Sequence, residues 1–215
     1  MALVSAAVDL RSRLGPARDQ GARPTCLAFA ISDGHAMTRG PWSPLSCEFL
    51  FYHAQRRAGR PPTEGALVPA IREALLNDGQ PAESGWPYLV ADPQPTSWSP
   101  PATVGVVYRC ASVSAAGIMG PIVGIITAGH PVIVVIQLSA AFYAPTADGV
   151  VDHLAGDPPD PTRVHAVLVV GHGTVDRQPA ILVRNSWGPA WGTGGYAWLT
   201  RAFLGPRLLG SIKLP

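Results

Sequence analysis

Four residues of this chain could together do chemistry on a carbonyl: Gln20, Cys26, His165 and Asn185. A thiol attacks as the thiolate, so it needs a base nearby and donors for the oxyanion that its attack creates. Cys26 follows Pro24-Thr25 at the predicted start of a helix, with Thr25 as its cap. Unpaired backbone N–H groups and the positive end of the helix dipole favour an anion there, and should lower the thiol's pKa. His165 opens the apolar run Ala166-Val167-Leu168-Val169-Val170, and Asn185 closes another just before Ser186-Trp187-Gly188. Taken singly, a histidine at a strand edge and an asparagine at a turn are ordinary structural residues. With Cys26 they supply the groups that thiol-based acyl chemistry requires.

Composition narrows the alternatives. Hydrophobic residues make up 47% of the 215 and charged residues 14%, a balance that builds a core. The net charge of +2 is too small to draw a nucleic acid or a membrane surface by electrostatics. The most apolar stretch, residues 132–138, is far short of the ~20 residues that a bilayer span needs, and the N-terminus has no basic signal region. Cys47 and Cys110 read as small buried apolar residues. Three widely spaced cysteines make no disulfide framework, and no His/Cys cluster has metal-ligand spacing. A cytoplasmic monomer is expected, with no metal, cofactor, nucleic-acid or membrane partner.

Those candidates must be positioned by two halves of different character. Helical spacing of apolar residues predicts helices from Cys26, over residues 46–57 and over residues 66–76, the second capped by Ser46 and the third ended by Asn77-Asp78-Gly79. Residues 80–101, rich in Pro, Ser and Trp, read as an irregular surface segment. Strands are predicted over residues 104–108, 132–138, 165–170, 181–185 and 196–199. A helix is predicted over residues 114–128 and a loop over residues 144–161. Helices first and strands second imply an α+β chain with two lobes.

The motifs also carry a resemblance. Gln20-Gly21 followed by Cys26-Leu27-Ala28-Phe29-Ala30 resembles the nucleophile segment of papain-like cysteine peptidases, including the six-residue separation of Gln20 from Cys26. His165 to Gly173 resembles the family's histidine strand. Asn185-Ser186-Trp187-Gly188 to Tyr196 resembles its asparagine segment. Val8-Asp9-Leu10-Arg11 looks like the start of a mature domain, and Gly85-Trp86-Pro87-Tyr88 is similar to the middle of the compact bacterial branch.

The resemblance implies one papain-like domain over residues 1–215. A helical lobe spans about 20–100 and a β-rich lobe about 101–215, with the N-terminal segment packed on the latter. It implies that Cys26 and His165 form a thiolate–imidazolium pair in the cleft between the lobes. Asn185 orients the imidazole, Trp187 shields that contact, and Gln20 with the Cys26 N–H forms the oxyanion hole. Gly65, followed by Ala66 where the family often has a second glycine, lies on the cleft wall where an extended peptide pairs its backbone. Leu67, Val135, Val164 and Ala166 are candidates for the apolar pocket that takes the side chain two before the cut, with core packing as the equal alternative. The expected partner is a peptide or protein substrate, with an inhibitor or immunity partner unknown. The same residues would serve acyl transfer, deamidation or isopeptide cleavage, and a catalytically silent binding module is the alternative outside enzymes.

The sequence departs from the family in several places. Secreted members carry a disulfide-forming cysteine shortly before the nucleophile; here Ala22 and Arg23 occupy that neighbourhood. Leu27 replaces a common aromatic residue, and Val164 stands where some members are acidic. Only 19 residues precede Gln20, too few for the inhibitory segment of lysosomal and plant members, so either an excised domain or control by other means is expected.

Overall fold

A computed structural model describes residues 1–115 and 117–215. In chain order these form β1 (Val4–Asp9), α1 (Cys26–Met37), α2 (Cys47–Ala58), α3 (Val68–Asn77), β2 (Val113–Ala115), α4 (Met119–Thr127) and β3 (Val132–Leu138). There follow α5 (Ala140–Tyr143), β4 (Val150–Val151), β5 (Asp160–Val175), β6 (Gln178–Arg184), β7 (Tyr196–Thr200), α6 (Arg201–Leu204) and β8 (Leu208–Lys213). The α+β expectation therefore holds, with helices gathered first and the sheet built from the second half and the N-terminus.

One sheet runs in the order β2-β8-β3-β5-β6-β7-β4, and β1 pairs β5 off that path. Its central strands are apolar almost throughout because both faces are covered. On β5, Ala166, Leu168 and Val170 join the core shared with α1, α2 and α3. Val167 and Val169 point to the opposite core, which Ile122, Phe142 and Phe203 of α4, α5 and α6 complete. The same alternation sets Ala166 toward the helices and His165 toward Phe142 on the other face.

Every residue of α1 after Cys26 is buried, which explains why its hydrophobicity runs all round the helix. Ser46 caps α2 as the sequence predicts: its hydroxyl accepts the Phe49 N–H at 3.1 Å and donates to the Trp86 carbonyl at 2.6 Å. Cys47 and Cys110 are buried, and all three cysteines are free.

Several expectations need correction. Residues 104–108 are not a strand; Gly105 adopts a positive φ of 78°, which breaks the extended run, and only Tyr108 makes a bridge, to Gln80. The helix predicted over 114–128 starts at Met119, because residues 113–115 pair with β8 instead, and Ala116 lies outside the described residues. The predicted loop over 144–161 contains β4, which pairs parallel to β7, and the first residues of β5. β1 and β8 were not anticipated. β1 is alanine-rich and largely exposed, and its partner rather than its own propensity makes it a strand.

β1 lies so close on β5 that a Cβ at Gly173 would stand 2.1 Å from the Ser5 carbonyl oxygen. The contact is with backbone, so it cannot be relieved by a rotamer change. Gly173→Ala should destabilise the protein by about 1–3 kcal/mol by displacing β1, read as a lower denaturant midpoint. An unchanged midpoint would contradict this packing.

Candidate active site

Cys26 is the first residue of α1 and partly exposed, at the seam between helices and sheet. Thr25 precedes it in a non-helical conformation, but its hydroxyl does not cap the helix. It pairs with the Tyr88 hydroxyl at 2.9 Å, and that hydroxyl donates to the Gln20 carbonyl at 2.7 Å. The approach to Cys26 is thus tied to the irregular segment that follows α3, not to the helix it enters.

Across the seam, β5 presents His165. Its Nε2 lies 2.7 Å from Asn185 Oδ1, at the end of β6. The same oxygen accepts the backbone N–H of Ser186 at 2.8 Å. A backbone N–H can only donate, so the atom facing it must be the amide oxygen, and His165 Nε2 must carry its hydrogen to bond that oxygen. In the neutral ring this leaves Nδ1 as the basic atom. Asn185 Nδ2 is buried and finds no partner among the described residues.

Trp187 lies against the imidazole, ring centroids 4.7 Å apart, and Phe142 meets it edge-on at 5.6 Å. Tyr143 stacks on the outer face of Trp187 at 5.4 Å. Phe142, Tyr143 and Ser186 are site residues that sequence reading missed. Ser186 was within reach, since it sits inside the asparagine segment; the two aromatics of α5 are brought there only by the fold.

Gln20 is buried with both ends of its amide held: Oε1 accepts the Ser186 hydroxyl at 2.6 Å, and Nε2 donates to the Arg23 carbonyl at 2.8 Å. One N–H of that amide is left over. Ser186 therefore orients both amides, Gln20 through its hydroxyl and Asn185 through its backbone.

A cleft of about 280 Å³ is lined by Cys26 and His165 together with Gly65, Ala66, Leu67, Val135, Val164 and Ala166, all of them sequence candidates. Pro24, Leu27 and Val68 complete it and were not anticipated. Leu67 is 45% exposed and Val164 51%, so these two are wall and rim, not core. Ala166 is buried and packs in the core as well as facing the cleft. Gln20, Asn185 and Trp187 are not among the residues that line the cleft.

The helix is coupled to the asparagine by a buried ion cluster. Asp33, on α1, accepts from Arg184 Nε at 2.6 Å and from Arg18 Nε at 2.9 Å. Arg184 immediately precedes Asn185, and Arg18 also reaches Glu83 at 3.3 Å.

Burial disfavours either charge alone. It raises the Cys26 thiol, against backbone hydrogen bonds from Ala166, Leu27 and Cys26 itself that pull the other way. It lowers His165 to about 4, and the bond to Asn185 offsets only part of that. The expectation that the helix start by itself lowers the thiol's pKa is thus corrected: desolvation outweighs the helix N-terminus. A proton passed from the thiol to the imidazole would create both charges at once, each able to stabilise the other.

The model for papain family cysteine protease matches residues 4–204. The chain belongs to the papain family of cysteine proteases. Curated relatives include a cysteine protease of Blomia tropicalis, 25% identical over 89% of this chain, and cathepsin K of Gallus gallus, 29% identical over 91% of it. The chain spans 59% of the length of each. Among solved structures, xylellain from Xylella fastidiosa has a TM-score of 0.79 at 19% identity, covering 99% of this chain and 86% of that one. The Carica candamarcensis protease CMS1MS2, in complex with E-64, has a TM-score of 0.76 at 22% identity, covering 98% of both chains. These two likenesses are of the papain-like fold, including its two-lobed plan.

The geometry predicts how His165 titrates. In Cys26→Ala, which removes the thiol, the imidazole should titrate near 4, measurable by NMR; a value above 6 would contradict its burial. Because the folded value lies below the ordinary one of 6.5, the unfolded state binds the extra proton between them. Stability of Cys26→Ala should therefore fall as pH drops from about 6.5 through 4, and the same decline should be absent when His165 is also replaced by Gln.

Proposed function

We propose that this chain hydrolyses peptide bonds as a cysteine peptidase. The observation that carries the reading is one cleft lined by Cys26 and by His165, whose Nε2 is committed to Asn185 so that Nδ1 is its base. Nδ1 takes the thiol proton as the Cys26 sulfur attacks the scissile carbonyl carbon. The oxyanion is met by the Cys26 backbone N–H and the uncommitted N–H of Gln20. The imidazolium then protonates the departing amine, and the C–N bond breaks to leave a thioester. His165 next takes a proton from water, hydroxide attacks the thioester, and the acid product leaves as the thiol is restored. Asn185 keeps the ring in register, and Trp187 with Phe142 keeps water from the bond that does so.

The cleft supports an extended peptide with an apolar side chain, set against Leu67, Val68, Val135, Val164 and Ala166. Nothing in the fold demands glycine at residue 65: an added Cβ would have only the Pro24 carbonyl oxygen, 3.8 Å away, within 4 Å. Its bareness serves a backbone laid along the wall.

Incubation with a peptide library, analysed by mass spectrometry, should give shortened peptides cut after an apolar residue and one further position. Joined or amine-adducted products would overturn hydrolysis as the sole activity. E-64 should label the wild type at Cys26, and labelling no faster than in Cys26→Ala would overturn the enzyme reading. His165→Ala should abolish turnover, Asn185→Ala should lower it less, and Gln20→Ala should cost on the order of 10²–10³ in kcat. Gly65→Val should leave the melting temperature unchanged and raise KM.

A further inference from the structure

The segment between Gln20 and Cys26 is held from below by Arg23. Its guanidinium is fully buried and bidentate on Glu48 of α2, at 2.6 and 3.1 Å, and donates to the Leu89 carbonyl at 2.6 Å. Glu48 is also fully buried, and its remaining acceptor sites are taken by Trp98 Nε1 at 2.8 Å and the Leu89 N–H at 3.1 Å. Tyr88 lies over the guanidinium at 5.0 Å. A carboxylate with four donors and an arginine packed against an aromatic ring leave this anchor very little freedom.

The same residue reaches the site through its backbone, since the Arg23 carbonyl accepts the Gln20 Nε2 hydrogen at 2.8 Å. That bond takes one of the two hydrogens on the amide and so aims the other. Cys26, three residues on, supplies the second donor of the same oxyanion hole. Both donors therefore flank the point where the chain is pinned. Arg23 also occupies the neighbourhood in which secreted members of the family place a disulfide cysteine, and in this chain all three cysteines are free.

We infer that Arg23 and Glu48 are positioning residues for the oxyanion hole: their buried ion pair fixes the loop whose Arg23 carbonyl aims the Gln20 amide. The role rests on the peptidase reading. Neither side chain touches substrate, and each acts through Gln20. A weakened anchor lets the amide swing, so the loss falls on the transition state and spares the ground state. Alkylation of Cys26 by iodoacetamide builds no oxyanion and is spared as well.

The test is a double-mutant cycle with Gln20. Glu48→Gln should lower kcat ten- to a hundredfold, with KM within about threefold of wild type and the iodoacetamide rate within about twofold. In a Gln20→Ala background the same substitution should change kcat by less than about threefold, because the group through which it acts is gone. Trp98→Phe removes one donor to Glu48 and keeps both charges; should Glu48→Gln fail to fold, it carries the cycle, with the same signature at smaller amplitude. Full, independent losses in the Gln20→Ala background, or alkylation falling in step with kcat, would overturn the inference and leave the ion pair a purely structural one. Binding of a peptide aldehyde, which forms a hemithioacetal in the same hole, should weaken in proportion. That binding reads the inference even if no peptide is turned over, so failure of the peptidase reading and failure of this one remain distinct.

Discussion

One amide oxygen organises this site. Asn185 Oδ1 accepts two N–H groups, one from the backbone of Ser186 and one from His165 Nε2. The first cannot be reversed, and it therefore dictates the second. The tautomer of His165, the identity of its basic nitrogen and the side on which it offers a lone pair all follow from the turn that ends β6. The Nδ2 of the same amide is buried and has no partner among the described residues.

Burial gives the couple its character. The surroundings that seat the imidazole among Trp187 and Phe142 also push it toward neutrality, and the thiol is pushed the same way. Neither group can easily carry charge alone. An ion pair formed by moving one proton between them escapes much of this penalty, since no net charge is added to the low-dielectric site. The helix start contributes local N–H donors, and in the proposed mechanism His165 is the partner that would take the thiol proton.

Two buried ion clusters hold the halves of the site. Asp33 joins α1 to Arg184, next to Asn185, and Glu48 joins α2 to Arg23, in the loop between Gln20 and Cys26. Buried pairs are poor evidence for net stability, because desolvation consumes most of the attraction. They are good at specifying direction, since a guanidinium fork and a carboxylate accept few alternative geometries. This chain keeps free thiols and sets its loops with charged hydrogen bonds.

The candidate site residues, their order and much of their placement were legible in the chain. A cysteine at a helix start, a histidine opening an apolar strand and an asparagine before Ser-Trp-Gly are local patterns, and local patterns survive in sequence because a few neighbouring residues produce them. The long helices and central strands were legible for the same reason. What tertiary structure alone decided was pairing. β1 and β8 become strands only beside β5 and β3, residues 104–108 fail to become one, and the aromatics of α5 reach His165 from a separate element. The Cys26 pKa went the same way: the sequence shows the helix terminus that lowers it, whereas the desolvation that outweighs this comes from residues distant in the chain and adjacent only after folding.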